Sequence, residues 1–312
     1  MNLSVILCTY NRAGELRRTL ESFCALAIPP ALRWELIVVD NNSTDNTRSV
    51  ADGFRGRLPL RCVFEPRQGL SAARNHGVRD ATGEWIVFTD DDVDVDPAWL
   101  AQLWTAANAH PEASFLGGKV LPHWETEPPR WLAENSATLL PGVTMHYDLG
   151  DAERFLSPED DLMFFGANMA FLRRLLVGNA PFQESLGRQG ADLIHGEESA
   201  LMKHLLESGQ QGLYVPGAVV RHHNPPTRMT ERYVRQWFKG YGVTRVRNGE
   251  ARLGASCCGL PMRSVRRVLI NAVKYGLFRW TAPASVWLRA EVKMATACGV
   301  IAEYRRRART GE

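Results

Sequence analysis

Three consecutive carboxylates, Asp90-Asp91-Asp92, end an apolar run that begins at Trp85. Adjacent acids repel one another. They are tolerable when solvated and useful when a divalent cation sits among them. An oxygen-rich set of this kind suits Mg²⁺ or Mn²⁺, usually shared with substrate phosphates. Acids before a helix are also common, and Pro97-Ala98-Trp99-Leu100 follows as a helix start, so the triplet alone is read equally well as an acidic cap. Other polar clusters qualify the choice: Thr9-Tyr10-Asn11-Arg12, Asp40-Asn41-Asn42-Ser43, Arg67 to Asn75, the pair Glu197-Glu198, and His222-His223.

The elements that must position these groups alternate strictly. Leu3 to Cys8, Trp34 to Val39, Leu60 to Phe64 and Trp85 to Thr89 read as short buried strands, each bounded by turn residues. Helical spacing separates them, first with Leu16, Leu20, Phe23 and Leu26. This β-α alternation predicts an α/β fold with a mostly parallel sheet and helices on both faces. Such sheets bind ligands outside the carboxyl ends of their strands. Three of the polar clusters lie at those ends, and the Arg67 to Asn75 stretch follows the third strand on the same rim. A Rossmann dehydrogenase would need G-x-G-x-x-G after the first strand, where this chain has Cys8-Thr9-Tyr10-Asn11-Arg12, and a P-loop is also absent. A nucleotide must then be held by side chains and a metal.

Four stretches in order, Val5 to Arg12, Ile37 to Asp45, Gly69 to Asn75 and Phe88 to Asp92, resemble family 2 glycosyltransferases of the GT-A fold. The resemblance covers about residues 1–245. It implies a nucleotide-sugar donor, Mn²⁺ or Mg²⁺, and inversion at the anomeric carbon. It also implies roles: Tyr10 against the nucleobase, Asp40 hydrogen-bonded to that base (uracil being typical), Arg74 at the donor phosphates, Asp90 at the ribose and Asp92 on the metal. Thr9, Arg12, Asn42 and Asp91 complete the expected donor side, with the D-x-D register open by one. Phe164 to Phe171 resembles a G-x-N strand of the family, which puts Asn168 by the donor or acceptor hydroxyls. Glu197-Glu198 stands where the family usually has Glu-Asp, with the Asp as general base. Glu198 holds that position, and which of the pair acts is left open. His222 matches a strand-ending histidine that completes the metal shell in some relatives.

The rest of the chain is less specific. Pro122 to Trp131 is loop-like and rich in Pro and Trp, and Trp124 is a candidate sugar platform on the acceptor side, with simple packing as the equal alternative. The stretch 133–160 shows no pattern and is expected to be an insertion or loop. Apolar content of 45% and charged content of 23% are ordinary for a globular protein. Six cysteines without C-x-x-C spacing read as reduced core residues in a cytosolic setting. Met1 leads straight into a strand, so no signal peptide is expected, and no apolar run approaches the roughly 18 residues of a spanning helix.

Charge is asymmetric. Residues 1–227 hold 19 Lys and Arg against 29 Asp and Glu, and residues 228–312 hold 18 against 5. The basic tail carries apolar stripes (Val265, Val268, Leu269, Ala272, Val273, Gly276, Trp280), as suits an anionic membrane surface or a helical hairpin packed on the domain. No nucleic-acid motif accompanies the charge. The expected organisation is a GT-A catalytic domain over 1–228 and a basic helical region over 229–312. It would act on the cytoplasmic side, peripheral on the inner face of the membrane, with a glycan or lipid-linked acceptor. A non-catalytic sugar-binding protein and a sugar nucleotidyltransferase are the alternatives on a similar sheet.

Overall fold

The computed structural model describes residues 2–310 apart from 161–162, 179, 185, 187–192, 195, 252–255 and 258–259. Strands and helices follow in chain order. The first part holds β1 (Leu3–Thr9), α1 (Ala13–Phe23), β2 (Trp34–Asp40), α2 (Thr47–Asp52), β3 (Leu60–Phe64), α3 (Leu70–Asp80), β4 (Trp85–Thr89), β5 (Val93–Val95) and α4 (Trp99–Ala109). The middle holds β6 (Ala113–Trp124), α5 (Arg130–Ala133), α6 (Pro141–Thr144), β7 (Arg154–Phe155), β8 (Met169–Leu172), α7 (Glu197–Glu207) and β9 (Gln211–Asn224). The end holds α8 (Glu231–Arg247), the short β10 (Ser256–Cys257) and β11 (Leu260–Pro261), α9 (Met262–Phe278) and α10 (Ala284–Thr310).

These elements fall into two units. The first comprises Met1–His123, Met145–Gly187 and Glu197–His223, and the second Trp124–Thr144, Arg188–Gly196 and Asn224–Glu312. In the first unit one sheet runs β3-β2-β1-β4-β8-β6-β9-β5, with β7 on β9. The four strands read from the sequence, β3, β2, β1 and β4, pair in parallel, as β-α-β crossovers require. β8 then joins β4 antiparallel, and β5 pairs antiparallel with β9, setting Val93 opposite His222. Val5, Ile6, Ile37, Val38, Ile86 and Val87 are fully buried, which explains why their strands are apolar throughout rather than alternating.

Close approaches fix where the functional residues lie. A Cβ at Gly77 would fall 2.6 Å from Ile6 Cγ2, so α3 lies tight on β1, and Arg74 sits one turn earlier on that helix. A Cβ at Gly118 would overlap the Ala218 carbonyl, which binds the β6 backbone closely to β9.

Several expectations change here. β6 continues through Pro122-His123-Trp124, which reads as loop in the sequence. The stretch 133–160 is anchored rather than loose. Tyr147 bridges to Val120, is buried, and packs its ring against Phe164, Phe165 and Tyr214. Such contacts leave no local periodicity to read. Cys24 is exposed rather than part of the core, and Cys258 lies outside the described residues.

The second unit has its own core, in which Leu132, Leu140, Val143, Val234, Phe238, Trp287 and Leu288 are buried together. α8 and α10 cross where Gly242 and Gly299 meet, and a Cβ at Gly242 would stand 3.0 Å from the Gly299 Cα. The buried acids Glu291 and Glu303 are paired with Arg235 and with Arg247 and Arg306. α9 is reversed relative to an ordinary surface helix: Ser264 and Asn271 are buried, whereas Leu269, Val273 and Leu277 are more than 60% exposed. Among the described residues no helix is long and apolar enough to cross a membrane.

Candidate functional site

The carboxyl ends of β1, β2 and β4 meet as the alternation predicted. The loops after β1 and β2 are locked together. Asn11 Oδ1 accepts from the Thr44 N–H at 2.7 Å, and the Asn11 N–H donates to Ser43 Oγ at 2.9 Å. Asn11 and Asn42 both have positive φ, of 50° and 66°, a region in which Asn is better tolerated than most residues. Asp40 is buried and accepts from the Ser43 N–H at 2.9 Å, while Asn42 is exposed. Tyr10 is 39% exposed at the mouth of β1, so its ring is no part of the core.

Within the acid triplet the three residues diverge. Asp91 turns inward, accepting from Thr9 Oγ1 at 2.8 Å and from Arg12 Nη1 at 2.7 Å. Burial pushes its carboxyl up, and the Arg12 charge opposes that shift. Asp92 divides its oxygens, one taking Arg12 Nη2 at 2.8 Å and the other lying 3.1 Å from His222 Nε2. Arg12, expected on the donor side, is thus engaged with both acids. Asp90, Asp92 and His222 each bring one ligand atom within 4.8 Å of the other two. His222 Nδ1 lies 2.9 Å from the His223 carbonyl, which can only accept, so Nδ1 carries the proton there. In a neutral ring Nε2 then turns its lone pair toward the Asp92 carboxylate, and a cation between them relieves that opposition. Two carboxylates and an imidazole fit Mn²⁺ or Mg²⁺. The two acids of the triplet that lie with His222 are Asp90 and Asp92.

Arg74 occupies the other side of Asp90. Its side chain is 4% exposed, with Nη1 2.7 Å from Glu197, and it comes within 3.8 Å of both Asp90 and Glu198. Gly166 leaves room for it, since a Cβ there would overlap the guanidinium. The Phe182 ring backs it at 5.5 Å, and the Asn75 side chain holds the Phe182 backbone at both its carbonyl and its N–H. Expected at donor phosphates, Arg74 is instead enclosed by acids. Glu197 and Glu198 open α7, where the helix dipole favours negative charge. Glu197 is buried, and burial together with the Glu198 charge pushes its carboxyl up to about 8, against the pull of Arg74. Glu198 is the more open of the two, with 19% of its side chain exposed against 2%.

Two candidates lie elsewhere. Asn168, expected beside substrate hydroxyls, is fully buried. Its amide donates to the Lys119 and Ala218 carbonyls at 2.9 and 2.8 Å and accepts from Trp99 Nε1 at 2.8 Å, so it ties strands together rather than facing the cleft. Trp124 is partly buried against the core of the second unit.

Sequence reasoning missed the residues that hold the backbone. The Thr19 hydroxyl lies within 2.8 and 2.9 Å of the Asp91 and Val93 carbonyls and accepts from the Val93 N–H. Asn41 donates to the Glu65 and Arg67 carbonyls and accepts from the Gly69 N–H, setting the entry to α3. The only signal for either was a polar residue in an otherwise apolar helix face or strand end.

Comparisons with known proteins bear on the family and the fold. The profile of glycosyl transferase family 2 matches residues 4–177. The succinoglycan biosynthesis protein ExoM of Rhizobium meliloti is 33% identical over 134 residues, 42% of this chain, and the match spans only 43% of ExoM. A glucosyl-dolichyl phosphate glucuronosyltransferase of Haloferax volcanii is 27% identical over 229 residues, 71% of this chain and 69% of that protein. Among solved structures, the mannosyltransferase PcManGT of Pyrobaculum calidifontis, in complex with GDP-Man and Mn²⁺, aligns with a TM-score of 0.58. At 19% identity over 95% of this chain and 85% of that one, this is a likeness of fold.

The Glu197 environment sets a pH dependence of stability. Between its ordinary value of 4.5 and about 8, the folded chain holds a proton that the unfolded chain has released. This contribution is full below that window and is lost as pH rises through it. Urea unfolding across the window should show a falling stability whose slope lessens in Glu197→Gln. An unchanged slope would mean that Glu197 is ionised throughout.

Proposed function

Because the chain belongs to glycosyl transferase family 2, we propose that it moves a sugar from a nucleoside-diphosphate donor to an acceptor hydroxyl, with inversion at the anomeric carbon. One observation carries this reading. Arg74 approaches Asp90 on one side and Glu197 and Glu198 on the other, so a candidate metal group and a candidate base share one guanidinium.

The exposed ring of Tyr10 offers a face for the nucleobase, and Asp40 can accept from its edge. UDP-sugars are the first donors to test, with GDP-sugars second. Asp90, Asp92 and His222 would hold Mn²⁺ or Mg²⁺, which would supply charge neutralisation for a diphosphate leaving group. Arg12 keeps Asp91 and Asp92 in place. Glu198 accepts the proton of the attacking hydroxyl, because it is the acid with an open side. Glu197 anchors Arg74, and Arg74 holds Glu198 near the site by charge. Positioning of both substrates supplies much of the remaining acceleration.

The second unit supports a membrane-facing acceptor. Leu269, Val273 and Leu277 recur at helical spacing on α9 and are exposed, as is Trp280 beyond its end. Arg263, Arg266, Arg267 and Lys274 lie on the same helix. An apolar stripe among cations is complementary to an anionic bilayer surface. The relatives' names, one in succinoglycan biosynthesis and one specifying a dolichyl phosphate, support a glycan or lipid-linked acceptor. We place the protein on the cytoplasmic face of the membrane.

Two outcomes follow. With a donor that turns over, Glu198→Gln should lower the release of nucleoside diphosphate by roughly 10²–10⁴-fold while donor binding persists, and Glu198→Asp should keep part of the activity. Full turnover by Glu198→Gln would remove the base from this residue. Release of pyrophosphate instead would indicate a nucleotidyltransferase, and binding without turnover a sugar-binding protein. In sedimentation with vesicles, Val273→Glu combined with Leu277→Glu should abolish binding to anionic lipid. Equal binding of that variant, or equal binding of the parent to neutral vesicles, would contradict the docking surface.

A further inference from the structure

Asp94, His123 and His223 form a second cluster in the first unit, one from each of β5, β6 and β9. A single Asp94 oxygen lies 3.0 Å from His223 Nε2 and 3.5 Å from His123 Nδ1. The two imidazoles stack with centroids 4.4 Å apart and planes inclined by 29°. One ligand atom from each of the three residues lies within 4.8 Å of the other two.

The surroundings of Asp94 differ from those of its neighbours. Asp91 and Asp92 pair with Arg12, Asp90 with Arg74, and Asp96 with Arg221. Among the described residues, the ion-pair partners of Asp94 are the two imidazoles and no arginine or lysine. Three residues from separate strands thus converge one carboxylate oxygen and two ring nitrogens where, among the described residues, no arginine or lysine pairs with the acid.

We propose that Asp94, His123 and His223 form a second metal site, one that takes Zn²⁺. Two nitrogens and one oxygen make a set richer in imidazole than the Asp90, Asp92 and His222 group, and such a set favours zinc with a water in the fourth position. The buried His223 anchors the site, and His123, with 43% of its side chain exposed, gives the ion a path from solvent. The site bears on the first group through one residue. The His223 N–H donates to the Asp92 carbonyl at 2.9 Å, and the His223 carbonyl receives His222 Nδ1 at 2.9 Å. Zinc on the His223 ring would therefore steady the backbone that orients His222. The proposal stands on donor geometry and not on the transferase reading.

The test is calorimetric titration of Zn²⁺ into the full, chelator-stripped chain, with Co²⁺ as a spectroscopic probe. Wild type should bind one equivalent that His123→Ala and Asp94→Asn each weaken on the order of 100-fold, and that Asp92→Asn retains. The same equivalent, filled with Co²⁺, should give an intense visible band of four-coordinate cobalt, lost in His123→Ala. Since His123 is largely exposed, that variant should unfold at the wild-type temperature without metal, and Asp94→Asn gives an independent reading if it does not. No zinc bound by wild type, unchanged zinc affinity in either variant, or a single equivalent removed by Asp92→Asn would overturn the proposal.

Discussion

One guanidinium, that of Arg74, is almost closed to water and stands beside three carboxylates, of which Glu197 is buried with it and Asp90 and Glu198 keep an open side. Asp90 comes from the end of β4, and Glu197 and Glu198 from the first turn of α7. Burial, with the neighbouring Glu198 charge, pushes the Glu197 carboxyl up to about 8 against the pull of Arg74. A buried pair of this kind adds little stability by existing, but breaking it leaves an uncompensated charge at a cost of about 3–5 kcal/mol. The guanidinium hydrogen-bonds Glu197 through one nitrogen and comes within 3.8 Å of the other two acids, a spread of contacts that its planar fork suits better than an ammonium. Gly166 and Phe182 are then demanded by its shape, and Asn75 by the need to hold Phe182.

A second layer of restraint is backbone anchoring. Thr19, Asn41 and Asn168 each spend a buried polar side chain on main-chain groups of distant segments. Between them they fix the loops after β2 and β4 and the joint of β6, β8 and β9. A buried amide left with an unmade bond costs about 1–3 kcal/mol, so these side chains hold one arrangement rather than several. Such rigidity lets Asp90, Asp92 and His222 lie together although their strands are far apart in sequence.

The sequence made the parallel core legible because burial on both faces leaves an unmistakable mark in Val5-Ile6-Leu7 and Ile86-Val87-Phe88. The rim was legible for the same reason: polar residues that end such strands have one place to go. The divergence of Asp90, Asp91 and Asp92 was not, because it is set by Thr9 and Arg12 and by a histidine 130 residues later. Asn168 was misassigned because its neighbours Lys119, Ala218 and Trp99 are all distant in the chain. The folded character of 133–160 was hidden likewise, since Tyr147 is buried by aromatic rings from other segments. On α9 the apolar stripe was visible, but only the structure reveals that it faces outward.

Under the proposed function, donor binding and the Asp90, Asp92 and His222 group are one site. Its most direct test is the unfolding temperature of the full chain with a panel of nucleotide sugars, in Mn²⁺ and in chelator, for wild type and Asp92→Asn. A ligand that binds only the native state raises that temperature. If the two are one site, a donor should stabilise wild type in Mn²⁺ and do so far less in chelator or in Asp92→Asn. Equal stabilisation under all three conditions would contradict it.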